Sequence, residues 1–169
     1  MLTTLFKLVW RAELVPCAWR HGVITSLFKA GDRAECNNYR PITLLPTIGK
    51  LFTAIMATRL ERFVPLHDHQ SAFRKARGTM DPLFVFSATI LERKVRGLRT
   101  HAFFLDLKKA YDMVWHDGLF YKLHKKGVKA KTWRLIWDMY SKGENSASLD
   151  GHVSAPFRLL QGVAQGDPM

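Results

Sequence analysis

The sequence predicts an α+β fold, and three observations carry that prediction. Apolar residues recur at helical spacing in several separate stretches, short apolar or β-branched runs stand between them, and an Asp-Gly pair near the far end marks a hairpin. Strands and helices do not alternate strictly, which argues against a doubly wound parallel sheet. The 169 residues leave room for one domain. A hydrophobic content of 47% supplies a packed core and excludes a low-complexity disordered chain.

Residues 2–14 read as a short amphipathic helix with Leu5, Leu8, Val9 and Ala12 on one face, ended before Pro16. Residues 22–29 (GVITSLFK) read as a strand, followed by a turn at Ala30-Gly31-Asp32 and a polar loop to Asn38. Residues 41–46 are extended, because Pro41 and Pro46 each disfavour helix in the residue before them. From Thr47 the period changes: Ile48, Leu51, Phe52, Ile55, Met56 and Leu60 share a helical face that reads as core.

Residues 64–79 read as a polar, basic loop. A helix is expected near Asp81-Pro82, with Asp as cap and Pro in the first turn, carrying Leu83, Phe84, Ile90, Leu91 and Val95. Residues 101–105 (HAFFL) read as a short strand buried inside a sheet, ending abruptly at Asp106. A helix follows Asp117 and stops at Gly127. The next shows Trp133, Ile136, Trp137 and Tyr140 at i, i+3, i+4 and i+7. Residues 145–159 read as a hairpin turning at Asp150-Gly151.

Charge narrows the function classes. Lys and Arg number 26 against 14 acids, a net charge of +12, which implies a polyanionic partner with nucleic acid in the lead. A merely basic protein, or one half of a charge-complementary complex, is the blander reading. Cys17 and Cys36 are too few for a disulfide framework, so an intracellular, reducing compartment is expected, with nucleus or cytoplasm open. No uncharged run approaches a membrane span, and the first residues do not read as a secretory signal. His67-Asp68-His69 lacks metal-ligand spacing and reads as loop surface. No internal repeat or low-complexity tract is present.

Three constellations carry chemistry. Asp106 stands directly after an apolar run, at a strand end where ligands commonly bind, with Tyr111 and Asp112 following. The same position equally suits a cap for the next turn. Gln161-Gly162 and Gln165-Gly166 make a loop whose backbone can approach a ligand closely, with amides that donate and accept; an ordinary glycine turn fits too. Lys29 and Arg40 flank a polar loop and suit a triphosphate clamp, or are two solvated cations.

Together these pieces resemble one family. The stretches VPCAWRHGVITSLFKAGD, NNYRPITLLPTIGKLF, SAFRKARGTMD, AFFLDLKKAYDMVWHDGLFYKL and QGVAQGDPM are similar, in order, to the reverse transcriptases of non-LTR (LINE-like) retrotransposons. The resemblance implies an RNA-directed DNA polymerase fragment: fingers over about residues 1–100 and a partial palm over about 101–169. It implies that Asp106 is a catalytic, metal-binding aspartate, with the Leu107 carbonyl as a further Mg²⁺ ligand. Tyr111, Gln165, Gly166, Lys29 and Arg40 would contact the incoming deoxynucleoside triphosphate, and Arg74, Lys75 and Arg77 the nucleic acid. The implied partners are an RNA template, a DNA primer and deoxynucleoside triphosphates, with no membrane and an open oligomeric state.

The family's chemistry is two-metal phosphoryl transfer. Its remaining palm aspartates come as an Asp-Asp hairpin, and no Asp-Asp pair occurs in these residues. The expectation is therefore a chain truncated before that hairpin and the thumb, inactive in isolation. A non-enzymatic nucleic-acid-binding remnant is the alternative, which genomic context would separate from a truncated gene. A hydrolase using Asp106, His116 and Asp117 is a third reading without supporting metal-ligand spacing. Lys122, Lys125, Lys126, Lys129, Lys131 and Arg134 form a basic run whose plain reading is a solvated helix pair.

Overall fold

A computed structural model describes residues 1–168; Met169, which closes the Gln-Gly stretch, lies outside them. The chain forms two compact units, one of residues 1–64 and 109–169, the other of residues 65–108.

The larger unit is built on a four-stranded mixed sheet of order β2-β1-β3-β4. β1 (His21–Phe28) pairs antiparallel with β2 (Tyr39–Leu44) and parallel with β3 (Glu144–Leu149), which turns into β4 (His152–Val153). Asp150 and Gly151 both have positive φ, 50° and 81°, as a two-residue hairpin turn requires. The returning limb is shorter than the sequence suggests. Ser154 Oγ takes the Ala147 N–H, and regular pairing resumes only as a single bridge between Asn145 and Phe157. Pro156, just before that bridge, has no N–H to give a ladder.

Helix α1 (Leu2–Ala12) ends where Glu13 turns left-handed and donates its N–H to the Val9 carbonyl. Its inward face is Phe6, Val9 and Trp10, rotated from the expected one: Leu5 and Leu8 are exposed. Phe6, Trp19 and Phe52 form a triangle of rings 5.6–5.8 Å apart. In α2 (Thr47–Leu60) the buried face is Gly49, Phe52, Thr53 and Met56, while Ile48, Leu51 and Ile55 face out. Gly49 sets this rotation, since a Cβ there would stand 3.2 Å from the Trp19 Cβ.

Helices α4 (His116–Lys125) and α5 (Ala130–Ser141) complete the core with Phe120, Val128, Leu135 and Ile136. Between them the chain closes as the sequence predicts at Gly127: its N–H meets the His124 carbonyl, and the Val128 N–H meets that of Leu123. Val128 is fully buried, the apolar contact that accompanies this cap. On α5 the inward residues are Thr132, Leu135, Ile136 and Asp138, with Trp133 and Tyr140 half-buried and Trp137 exposed.

In the smaller unit, α3 (Met80–Val95) follows an irregular segment, residues 65–79. Thr79, not Asp81, stands at the cap position; Asp81 lies inside the first turn and accepts the N–H of Gly78, which precedes the cap, at 2.7 Å. Residues 101–105 are not the buried strand the apolar run predicts. They have no regular structure, and Phe103 is 88% exposed. A buried strand needs ladder partners for its N–H and C=O groups, and the smaller unit contains no strand among its described residues. Phe104 instead makes an edge contact with Phe86 of α3.

One buried carboxylate ties α5 to the chain entering β1. Asp138 accepts the Val15 N–H at 2.9 Å, meets Arg20 at 3.6 Å and holds Lys142 at 2.6 Å. Burial pushes its pKa up, but the Lys142 and Val15 hydrogen bonds and the Arg20 and Lys142 charges outweigh this and leave it lowered. A lowered folded-state pKa gives stability that is present above the unfolded carboxyl value, about 4, and is lost as pH falls through the folded one. Acid titration of the unfolding free energy is expected to show this loss below about pH 4. Asp138→Asn should flatten that limb and lower stability at neutral pH by about 3 kcal/mol.

Candidate nucleotide and nucleic-acid site

Lys29 and Arg40 are placed by the β1–β2 ladder. Leu27 stands opposite Arg40 and Phe28 opposite Tyr39, and the Lys29 N–H continues the ladder to the Asn38 carbonyl at 2.8 Å. Lys29 and Arg40 are therefore diagonal neighbours on one face, at a typical separation of about 7–8 Å, and both are exposed. The intervening loop is folded on itself: Asn38 donates to the Asp32 carbonyl and Tyr39 Oη to that of Arg33. Two cations are thus presented from a closed hairpin tip.

The Gln-Gly loop runs along the free edge of β2. The Thr43 N–H donates to the Gln165 carbonyl at 2.9 Å, and Pro41, two residues back on that edge, has no donor to leave exposed. Gly166 has φ +121°, and a Cβ there would stand 2.9 Å from the Thr43 carbonyl oxygen. At the other end Gly162 donates to the Val114 carbonyl and Val163 to that of Tyr111. His116 Nε2 lies 2.6 Å from the Gly162 carbonyl, which fixes Nε2 as the protonated nitrogen. The loop thereby joins Tyr111 and Asp112 on one side to the strand bearing Arg40 on the other. Asp167 lies near Tyr140 of α5, whose hydroxyl is held un-ionised far into the alkaline range by burial and by that charge.

The structure thus brings Tyr111, Gln165 and Gly166 into one hydrogen-bonded assembly, with Lys29 and Arg40 on the hairpin that supports it. Thr43 is the member that sequence reading missed, and His116, read there only as a hydrolase candidate, instead holds the loop. Their role is to hold backbone carbonyls, for which side-chain chemistry gives no signal.

Asp106, Leu107, Arg74, Lys75 and Arg77 belong to the smaller unit. Asp106 and Leu107 are exposed in the irregular stretch after Phe104. Arg74 donates to the His67 carbonyl and meets Asp68 at 3.7 Å, and Arg77 donates to the Asp68 carbonyl at 2.8 Å. Both guanidinium groups therefore brace their own loop, while Lys75 is exposed. Among the described residues no three His, Cys, Asp or Glu side chains gather as a metal site. The His67 and His69 rings lie 5.0 Å apart, tilted by 36°, on the loop surface.

The sequence profile of the family described as reverse transcriptase (RNA-dependent DNA polymerase) matches residues 28–169. The chain belongs to the reverse transcriptase family. Its similar relatives include the probable RNA-directed DNA polymerases of transposon BS and transposon X-element of Drosophila melanogaster, at 32% and 29% identity over 98% of this chain. The Pol polyprotein of the type-1 retrotransposable element R2 of Popillia japonica is 29% identical over 92% of it. The chain spans about a fifth of the length of these curated relatives. The family match takes in the β1–β2 hairpin tip and the whole Gln-Gly loop. Among the described residues no helix is long and apolar enough to cross a membrane, and both cysteines are free.

The glycine geometry makes a prediction about this loop. Gly162 combines φ +89° with backbone of Tyr111 and Asp112 within 3.2 Å of a would-be Cβ, whereas Gly151 has φ +81° and open space. Gly162→Ala is expected to cost about 1–3 kcal/mol, and Gly151→Ala clearly less, as measured by denaturant unfolding.

Proposed function

We propose that this chain is the nucleotide-gripping part of a mobile-element RNA-directed DNA polymerase, acting on deoxynucleoside triphosphates with an RNA template and a DNA primer. The observation that carries this reading is the Gln-Gly loop bonded at one end to β2 and at the other to Tyr111. It gives a ligand a rigid floor where backbone comes close, and the Lys29 and Arg40 pair supplies the charge that a triphosphate needs.

In this reading Arg40 makes a forked contact to phosphate, Lys29 adds a point charge, and Tyr111 lies under the sugar. Gln165 offers both donor and acceptor to a base edge. Asp106 and the Leu107 carbonyl supply one aspartate and one backbone oxygen toward a divalent-metal site, taken by resemblance to be for Mg²⁺. That ion would neutralise phosphate charge in the complete polymerase. Because one carboxylate does not build the centre, these 169 residues on their own are expected to bind without polymerising, as a nucleic-acid-binding fragment would.

Primer extension on an RNA template with Mg²⁺ or Mn²⁺ is expected to give no product; template-directed synthesis lost in Asp106→Ala would overturn this. Binding of a deoxynucleoside triphosphate should weaken by about tenfold in Lys29→Ala/Arg40→Ala, measured by equilibrium dialysis. Binding of an RNA–DNA duplex should fall log-linearly with salt concentration. An unchanged triphosphate affinity in the double variant would remove these two residues from the site.

A further inference from the structure

A second surface, on α4 and α5, uses none of the residues above. Trp133 and Trp137 stack nearly parallel, 6° apart with ring centres at 5.3 Å, and Phe120 meets both edge-on. Trp133 Nε1 donates to the Phe120 carbonyl at 3.3 Å, which locks the first indole and so orients the second. Trp137 is nevertheless 39% exposed, and Tyr121 beside it 63%. Asp117, Phe120, Tyr121, His124, Trp133 and Trp137 line an open groove. A second groove shares Asp117, Phe120 and Trp137 with it and continues toward Arg158.

Core packing accounts for Phe120 and for the inner side of Trp133. It does not account for two neighbouring aromatic rings left facing solvent on a fixed frame. Their surroundings are basic. Lys125 stands over the Tyr121 ring at 5.6 Å, and Lys122, Lys126 and Lys129 are exposed on the same helix and the turn after it. Glu13 engages Lys131 and Arg134 but none of these four. Asp117 is the acid in the groove, at the end away from the lysines on α4.

We propose that this α4–α5 groove docks single-stranded nucleic acid, stacking unpaired bases on Trp137 and Tyr121 while the lysines follow the phosphates. Oriented aromatic faces beside uncompensated cations are the combination that single strands use, and a duplex hides the base faces that stacking needs. Because the indoles are already oriented, little ordering is lost on binding.

The test titrates the 169-residue chain with an oligothymidylate of about twelve nucleotides, read by tryptophan fluorescence and by anisotropy. An abasic oligomer of equal charge and an oligoglutamate peptide serve as comparators. Expected are indole quenching by the oligothymidylate, binding at least tenfold tighter than the abasic oligomer, and about tenfold loss in Trp137→Leu and in Tyr121→Leu. Tyr121→Leu changes an exposed side chain, so it carries the test if Trp137→Leu unfolds. Equal binding of the abasic oligomer, unchanged affinity in Tyr121→Leu, or quenching by oligoglutamate alone would overturn the proposal. Lys29→Ala/Arg40→Ala should leave the quenching intact, so failure here and failure of the triphosphate reading are distinguishable.

Discussion

Asp138 is the point at which three parts of the larger unit depend on one another. Its carboxylate is buried on α5, yet its partners are the Val15 N–H, Arg20 at the entry to β1, and Lys142 at the exit toward β3. A buried charge without partners costs several kcal/mol, so the native arrangement requires all three approaches together. Arg20 extends the tie through its backbone, accepting the Glu144 N–H at 3.1 Å where the parallel β1–β3 ladder begins. Arg20 Nε is left buried without an acceptor, a cost that the ion pair offsets. The sheet that supports Lys29, Arg40 and the Gln-Gly loop therefore starts from a polar knot, with the aromatic core packed around it.

How much of this was legible follows from which features are local. The Gly127 cap and the Asp150-Gly151 turn depend on residues within a few positions, and both form as the sequence predicts. The faces of α1 and α2 were misread because each helix is apolar on more than one side. With Leu5, Leu8, Ile48, Leu51 and Ile55 all exposed, periodicity alone does not select the buried stripe; Gly49 against Trp19 does. The same limit explains residues 101–105. An apolar run resembles a buried strand, but a strand is a property of a pair, and the partner is not written in the run.

The site divides along the same line. The sequence reads Gly162 and Gly166 as a loop whose backbone approaches a ligand; what the structure shows is their missing Cβ letting the loop close on the chain's own backbone at Tyr111, Asp112 and Thr43. The consequence, one loop bonded to two distant segments, needed the fold. Side-chain type announced Lys29, Arg40 and Asp106 as chemical groups. It said nothing of Thr43 and offered His116 only as a hydrolase group, whereas both act by fixing carbonyls, at 2.9 and 2.6 Å.

The net charge of +12 gains meaning once its cations are sorted by what they already hold. Arg74 and Arg77 fasten the loop at residues 67–70, Arg20 serves Asp138, and Lys131 and Arg134 close on Glu13, whose pKa they lower. Those side chains reach phosphate only by giving up bonds they make now. Lys29 and Arg40, and the lysines of α4, are under no such constraint and lie on surfaces that also offer aromatic or backbone groups. Exposed like charges destabilise a compact chain unless a polyanion neutralises them. The cations that hold no acidic partner among the described residues, rather than the total, are therefore where the proposed contacts to nucleotide or nucleic acid would gain most.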